Sequence, residues 1–365
     1  MFTPNDIKFM SRALQLAAQP LVSPHPNPRV GCVIVADNRI IGEGCHERAG
    51  EAHAEINALR QAGDAARGAT AYVTLEPCCH TGKTPPCTGA LIAAGIREVI
   101  GAMLDPNPKV AGQGYEQLAG AGIPCRTGLL ADQARLLNPG FIRRMEGGRP
   151  WVVSKLAMSL DGRTAMASGE SQWITAKAAR DDVHRLRAQA SAIVTGIGTA
   201  LADDPRMTVR LPGHDPKRQP LRVVLDSGLK LSPQARMLKA PGTTVVCYHG
   251  DHESRRMSLA QAGAALYAVP GAAAGVDLDA VFATLVREFA VNDVLVEAGA
   301  SLNGALVEAG LIDEFIIYMA PSILGDQGRG LLHLPRLTTM AQKLELHITD
   351  IRSVGVDWRI HARPL

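Results

Sequence analysis

Apolar positions recur at two different periods along this chain. Phe9, Leu14 and residues 16–18 give a mostly apolar helical face between Asn5-Asp6 and Pro20, which predicts an opening helix capped by Asn5 or Asp6. Residues 22–29 hold three prolines and read as an irregular loop. A strand over 30–35, a turn at Asp37-Asn38 and a returning strand over 39–42 follow. Helical composition over 52–61, a strand over 71–75, a short helix over 91–94, a strand over 98–102 and helices over 112–121 and 131–141 complete this half. Strands alternating with helices predict an α/β layer structure.

Residues 146–150, Glu-Gly-Gly-Arg-Pro, are the best linker candidate, polar and followed at once by a strand over 151–156. They separate two expected domains, 1–146 and 150–365. The second half again alternates, with helices over 175–190, 278–289 and 301–309. Its strands are expected over 192–195, 221–226, 243–248, 294–297, 315–319 and 358–362.

Composition narrows the classes. The 365 residues suit two domains, and 46% hydrophobic with 20% charged residues excludes a disordered chain. Lys plus Arg is 38 against 35 for Asp plus Glu, a balance that gives no support for a nucleic-acid-binding surface. No apolar run reaches the length of a membrane span, and Met1 to Asp6 do not open a signal peptide, so a cytoplasmic enzyme is expected. Seven cysteines argue against a fully paired disulfide framework. Cys78, Cys79 and Cys87 crowd one segment, whereas Cys32, Cys45, Cys125 and Cys247 are scattered, as small buried hydrophobes would be.

That crowded segment carries the chemistry. His53-Ala54-Glu55 precedes Pro77-Cys78-Cys79-His80-Thr81-Gly82-Lys83-Thr84-Pro85-Pro86-Cys87. A hydrolytic zinc site uses three protein ligands and leaves one position open for water. His53, Cys78 and Cys87 supply the three, and Glu55 handles protons without ligating, the signature of zinc deaminases. A closed structural site of Cys78, Cys79, His80 and Cys87 is the plainer alternative. Adjacent cysteines in an extended segment point opposite ways, and a closed site leaves Glu55 unexplained.

The stretch 23–35 (Ser-Pro-His-Pro-Asn-Pro-Arg-Val-Gly-Cys-Val-Ile-Val), Gly44-Cys45-His46, Gly50 to Glu55 and the cluster ending at Cys87 resemble the deaminase half of the bifunctional riboflavin-biosynthesis RibD family. Eight residues between the paired cysteines, in place of two, are typical of that family. The resemblance implies a cytidine-deaminase-like three-layer domain in which Asn27, His46 and Lys83 line the substrate pocket.

In the second half, Gly196-Ile197-Gly198-Thr199 lacks the spacing of a dinucleotide fingerprint and reads as a tight turn. Residues 297–305 end a strand with small residues and begin a helix, with Ser301 as cap, where exposed amides can hold a diphosphate. The motifs at 155–164, 169–175, 186–187, 201–205 with Arg210, and 296–299 resemble the reductase half of the same family. That implies a dihydrofolate-reductase-like domain using NADPH. By that resemblance Ala157, Trp173, Thr199, Asp203, Ser227, Gly299, Ala300, Ser301, Leu302, Asn303, Gly304 and Ala305 contact the cofactor. Ser171, Arg187, Met207, Arg210 and Glu297 contact the substrate. Arg187 and Arg210 have the chemistry to pair with a phosphate, while a helical arginine such as Arg187 is more often on a solvated face. Trp173 suits stacking on a flat ring or a place in the core, and Lys155 and Asp161 are candidates for proton handling.

The expected activity is therefore twofold, with one zinc and NADPH. It comprises hydrolytic deamination of 2,5-diamino-6-ribosylamino-4(3H)-pyrimidinone 5′-phosphate and reduction of the product's ribosyl group to ribityl. The expected partners are these phosphorylated aminopyrimidines, with neither nucleic acid nor membrane, in a homo-oligomer. The alternatives are a tRNA or nucleoside deaminase with an unrelated tail, and a non-catalytic zinc scaffold.

Overall fold

Alternation along single strands builds both halves of the molecule. The structure is a computed structural model that describes residues 1–20, 22–81, 85–273 and 275–365. It divides into two compact units, Met1–Gly148 and Arg149–Leu365.

The first unit runs α1 (Pro4–Ala18), β1 (Gly31–Ala36), β2 (Arg39–Cys45), α2 (Ala54–Ala62), β3 (Thr70–Val73), α3 (Cys87–Ala93), β4 (Glu98–Gly101), α4 (Gln113–Gly120), β5 (Cys125–Thr127), α5 (Ala131–Leu137) and α6 (Pro139–Gly147). The sheet order is β2-β1-β3-β4-β5, with β1 antiparallel to β2 and β3, and β3, β4 and β5 parallel. Val33 and Val35 pack with Phe9 and Met10 of α1 on one face. Cys32 and Ile34 pack with Ala54 and Ala58 of α2 on the other. Successive side chains point to opposite faces, so one strand serves two helix layers. Asp37 and Asn38 turn the β1–β2 hairpin with positive φ, 47° and 59°, the geometry that a two-residue hairpin loop needs.

Two local expectations are corrected here. Neither Asn5 nor Asp6 caps α1: Thr3 does, its Oγ1 accepting the Asp6 N–H (3.1 Å) while the Asp6 carboxylate accepts the Thr3 N–H (2.8 Å). The helix expected over 131–141 is two helices broken at Asn138. Pro139 lacks an N–H and disfavours helical backbone at the residue before it. Asn138 instead exchanges two hydrogen bonds with the Arg29 backbone, 2.7 and 2.8 Å, tying down the proline-rich loop.

The second unit runs β6 (Trp151–Ser159), β7 (Arg163–Ala165), α7 (Lys177–Gln189), β8 (Ala192–Gly196), α8 (Ile197–Asp203), β9 (Leu221–Leu225), α9 (Arg236–Lys239), β10 (Thr244–Tyr248), α10 (Glu253–Gln261), β11 (Ala265–Ala268), β12 (Gly271–Ala272), β13 (Gly275–Val276), α11 (Leu278–Phe289), β14 (Asp293–Val296), α12 (Ala300–Glu308), β15 (Glu314–Ala320), β16 (Arg329–Gly330), β17 (Leu346–Val354) and β18 (Asp357–Pro364). Its nine-stranded sheet has the order β11-β10-β9-β8-β14-β6-β15-β18-β17, parallel from β11 to β15 and closed by the antiparallel β18 and β17. Val223 and Val245 face Phe282 and Leu306, while Val224 and Val246 face Met237 and Leu259, so helices cover both faces.

Residues 196–199 are not a plain turn, because β8 passes through an extended Gly196 directly into α8. Ser301 does not cap α12: Gly299 does, and its N–H donates to Thr199 Oγ1 at 3.2 Å. Strand β17 had no sequence signal because most of its residues are exposed on both faces, so no alternation marks it.

Candidate active sites

In the first unit the elements converge on three ligand atoms. Glycines on β2 set the approach of α2: a Cβ at Gly42 would collide with the Ala58 carbonyl oxygen, and one at Gly44 with that of Ala54. This close seat holds His53, the N-cap of α2, and Glu55 in its first turn. Cys78 follows β3, and Cys87 opens α3 after Pro86. His53 Nδ1 lies 3.3 Å from Cys87 Sγ and 3.5 Å from Cys78 Sγ, and the Cys87 N–H donates to Cys78 Sγ at 3.3 Å. Zinc–ligand lengths of about 2.3 Å to sulfur and 2.0 Å to nitrogen at a tetrahedral angle put such donors roughly 3.5 Å apart, so the spacing and the donor set both fit zinc. Cys79 and His80 give no atom to this cluster among the described residues. Lys83 lies outside the described residues.

Electrostatics follow from burial and proximity. The Cys87 hydrogen bond, with those from His53 and the backbone, overcomes burial and pulls the Cys78 thiol down to about 4. The same hydrogen bond, with burial, raises Cys87 in turn. Glu55 is 3% exposed, and burial, then the charge of Cys78, pushes its carboxyl up to about 7. A carboxyl poised near neutrality suits proton transfer. His46 packs edge-on to His53 with ring centroids 5.0 Å apart. Its Nδ1 lies 3.1 Å from the Ala52 carbonyl and its Nε2 3.0 Å from Asn27 Nδ2, which assigns the Nδ1–H tautomer, and burial lowers its pKa. Asn27, His46 and His53 thus form one contiguous chain.

Sequence reasoning missed Glu76. Buried three residues beyond β3, its carboxylate accepts the N–H groups of Asp105 (3.1 Å), Gly112 (2.9 Å) and Gly114 (2.8 Å), bracing the turn that delivers Cys78. A Cβ at Gly114 would strike the Pro77 carbonyl oxygen. A carboxylate just before Pro77-Cys78, at the end of an apolar strand, was the available signal.

In the second unit a cavity of about 790 Å³ opens beside the carboxyl ends of β8 and β14, where open α/β sheets bind ligands. Lys155, Arg187, Glu297, Met207 and Arg210 line it, as do Trp173, Thr199 and Asp203. Trp173 is 70% exposed with the Arg180 guanidinium 4.5 Å from its ring centroid, which removes the core reading. Ser171, Ala157 and Ser227 are not among the lining residues, and Ala157 packs against Ile316 and Tyr318. The segment 299–305 lies outside the lining as well. Within it Asn303 accepts from Ser154 Oγ (2.7 Å) and donates to the Ala298 carbonyl (2.8 Å), and Leu302 packs on the core. The exposed part of this helix start is Gly299 and Ser301.

The solvated-face reading of Arg187 is corrected: it lines the cavity with its side chain only 13% exposed, where Nε and Nη2 grip Glu297 and Nη1 donates to the Thr208 carbonyl (3.0 Å). Burial pushes Glu297 up, but Arg187 and then Lys155 override it and hold the carboxyl at about 2. Burial lowers Lys155, with Glu297 opposing. Asp161 does not line the cavity. It accepts from Ser159 Oγ (2.5 Å) and from the N–H groups of Leu324 and Gly325, so it braces a turn. Lys177, Arg180 and His184 also face the cavity and were missed. With Arg187 they form an i, i+3, i+7, i+10 stripe on α7, a legible helical pattern.

Residues 3–103 match the model of the cytidine and deoxycytidylate deaminase zinc-binding region, and residues 150–360 that of the RibD C-terminal domain. The chain is 48% identical to the riboflavin biosynthesis protein RibD of Escherichia coli (strain K12) over 366 residues, 98% of each chain. It is 44% identical to RibD of Haemophilus influenzae over 376 residues, 100% of this chain and 98% of that one. Its structure matches Acinetobacter baumannii RibD, form 1, with a TM-score of 0.92 at 44% identity over 99% of both chains. The deaminase/reductase of Thermotoga maritima matches with a TM-score of 0.85 at 31% identity over 99% of both. The tail after the zinc region is therefore not unrelated to it, and the scaffold alternative falls with it. A cytidine-deaminase unit followed by a dihydrofolate-reductase-like unit makes this chain a member of the RibD family, a bifunctional deaminase and reductase of riboflavin biosynthesis.

Proposed function

We propose that the unit Met1–Gly148 hydrolyses the amino group of 2,5-diamino-6-ribosylamino-4(3H)-pyrimidinone 5′-phosphate. The unit Arg149–Leu365 then reduces the ribosyl group of the product with NADPH. The observation that carries the first half is the His53, Cys78 and Cys87 cluster with a buried Glu55 two residues from its histidine. His53, Cys78 and Cys87 hold zinc, which when bound supplies the Lewis acidity that makes water a nucleophile near neutral pH. Glu55 takes a proton from the attacking water and returns it to the departing ammonia. Asn27 and His46, fixed in tautomer by Ala52, orient the pyrimidine, and Lys83 completes that pocket.

In the second unit NADPH supplies the hydride. Trp173, Thr199, Asp203, Ala157, Ser227 and the backbone of 299–305 bind it, with the Gly299 and Ser301 end of α12 nearest the diphosphate. Ser171, Arg187, Met207 and Arg210 hold the substrate with Glu297, and Lys155 beside Glu297 manages the proton. The lining supports a phosphorylated ligand, because Lys155, Lys177, Arg180, Arg187, Arg206, Arg210 and Arg236 outnumber Asp181, Asp203 and Glu297 by seven to three.

Seven free cysteines, two of them zinc ligands in this reading, support a reducing cytoplasmic setting. No helix among the described residues is long and apolar enough to cross a membrane. Exposed Ile348, Ile351 and Trp358 on the β17–β18 hairpin support a homo-oligomer, which sedimentation would test. The deciding experiment follows ammonia and NADPH separately with the diaminopyrimidine phosphate. Ammonia release followed by NADPH oxidation is expected, and the absence of both signals would overturn the reading.

A further inference from the structure

The cavity of the second unit contains two kinds of cation. Arg187 is held by Glu297, Lys177 Nζ by Asp181 at 2.6 Å, and Arg180 donates to the Thr175 carbonyl at 2.6 Å. Arg206, Arg210 and Arg236 line the same cavity with no carboxylate on their guanidinium groups among the described residues. Among the described residues the Arg210 side chain donates to Thr208 Oγ1 alone, at 3.1 Å. The neighbouring acids bond to groups other than these guanidiniums. Asp204 Oδ1 accepts the Arg236 backbone N–H at 2.9 Å, and Asp203 Oδ1 accepts from Gln172 Nε2 at 3.4 Å.

The backbone makes this arrangement deliberate. Asp204 and Met207 flank Arg206 with positive φ, 38° and 49°, conformations that are sterically costly for residues with a side chain. Met207 is 3% exposed, so it anchors the turn in the core while Arg206 points outward. Asp204 ties that turn to the first residue of α9, which is Arg236. Two strained residues and one carboxylate therefore tie together the segments that carry Arg206 and Arg236, and Arg210 lines the same cavity. Such crowding is unfavourable unless an anion occupies it. Arg210 is lowered by burial and then by Arg187, Arg206 and Arg236, with Glu297 opposing.

We infer that Arg206 and Arg236 complete, with Arg210, a site for a phosphomonoester dianion. This rests on the reductase reading of the second unit and deepens it by naming two residues beyond those that the family resemblance assigns. A terminal phosphate carries close to two charges and three acceptor oxygens, which planar guanidinium forks match better than a diester does. Two ligands of this enzyme offer that chemistry: the 5′-phosphate of the substrate and the 2′-phosphate of NADPH.

The test uses Arg206→Ala and Arg236→Ala in the full chain, with unchanged thermal melting as the folding control, since both side chains are exposed. Calorimetric binding of adenosine 2′,5′-bisphosphate and of ribose 5-phosphate is measured beside KM for NADPH, NADH and the deaminated intermediate. A charge-assisted hydrogen bond lost from each variant is expected to weaken one phosphate ligand about 10- to 100-fold. Loss toward NADPH and the bisphosphate, but not NADH, assigns the 2′-phosphate. Loss toward the intermediate and ribose 5-phosphate assigns the 5′-phosphate. Wild-type binding of both probes in both variants would overturn the site, as would equal losses for NADPH and NADH without loss toward ribose 5-phosphate. Probe binding that depends on these arginines, in a protein that never oxidises NADPH, would keep the site and overturn only the reductase reading.

Discussion

Arg187 holds Glu297 through two parallel hydrogen bonds, Nε to Oε1 at 2.5 Å and Nη2 to Oε2 at 2.9 Å, on the wall of the second unit's cavity. The pair joins α7 to the end of β14, and each side chain is only 13% exposed. Removing one partner from such a pair strands the other charge in a poorly solvated place, which typically costs about 3–5 kcal/mol. Lysine cannot restore the fork, because it offers a point charge in place of two aligned donors.

That geometry sets a pH dependence. Glu297 is held at about 2, below its ordinary 4.5. Between those values the unfolded chain binds the proton and the folded chain does not, so stability falls as the pH falls through that range. The contribution is complete above about 4.5 and disappears toward 2. Urea unfolding of wild type and Glu297→Gln should show a gap that is constant from pH 7 to 5 and narrows below. A gap that stayed constant down to the lowest pH at which the protein folds would contradict the pairing.

Metal content separates the ligands from their neighbour. The purified chain should carry about one zinc. Cys78→Ser and Cys87→Ser should lose it, and Cys79→Ser should keep it, since Cys79 gives no atom to the cluster. Elemental analysis of the three variants reads this directly. Zinc lost from Cys79→Ser and retained in Cys87→Ser would reverse the assignment.

Glu55→Gln keeps the side-chain volume and removes the proton shuttle. Zinc should remain, while ammonia release should fall about 10²- to 10⁴-fold. NADPH oxidation should fail with the diaminopyrimidine and persist with the deaminated intermediate supplied directly. A variant that deaminates at the wild-type rate would remove Glu55 from the chemistry.

Gly44→Ala tests the seat of α2. The added Cβ meets the Ala54 carbonyl oxygen, a backbone atom that cannot swing away. Overpacking of this kind costs about 1–3 kcal/mol and should shift His53 and Glu55 together. Deamination and the melting temperature should both drop, whereas reduction of the supplied intermediate should not. An unchanged deamination rate would show that α2 accommodates the methyl without moving its first turn.

Much of this protein was legible without coordinates. The near-continuous apolar runs over 30–35 and 243–248 marked buried strands, because a strand between two helix layers must be apolar on both faces. The zinc constellation was legible because its ligands are rare residue types at distinctive spacing. Only the tertiary structure decided the partners. Arg187 on a charged helix looks solvated in one dimension, and its carboxylate lies 110 residues away. Glu76 reads as one more acid until three distant N–H groups close on it. Asn138 stands at a break that Pro139 already marks, but its Arg29 partner lies 109 residues away, and the grouping of Arg206, Arg210 and Arg236 depended on a turn whose strain no propensity predicts. Sequence pattern reports the periodic burial that a single element needs, whereas charge compensation is a property of space, and long-range pairing leaves no period in the chain to read.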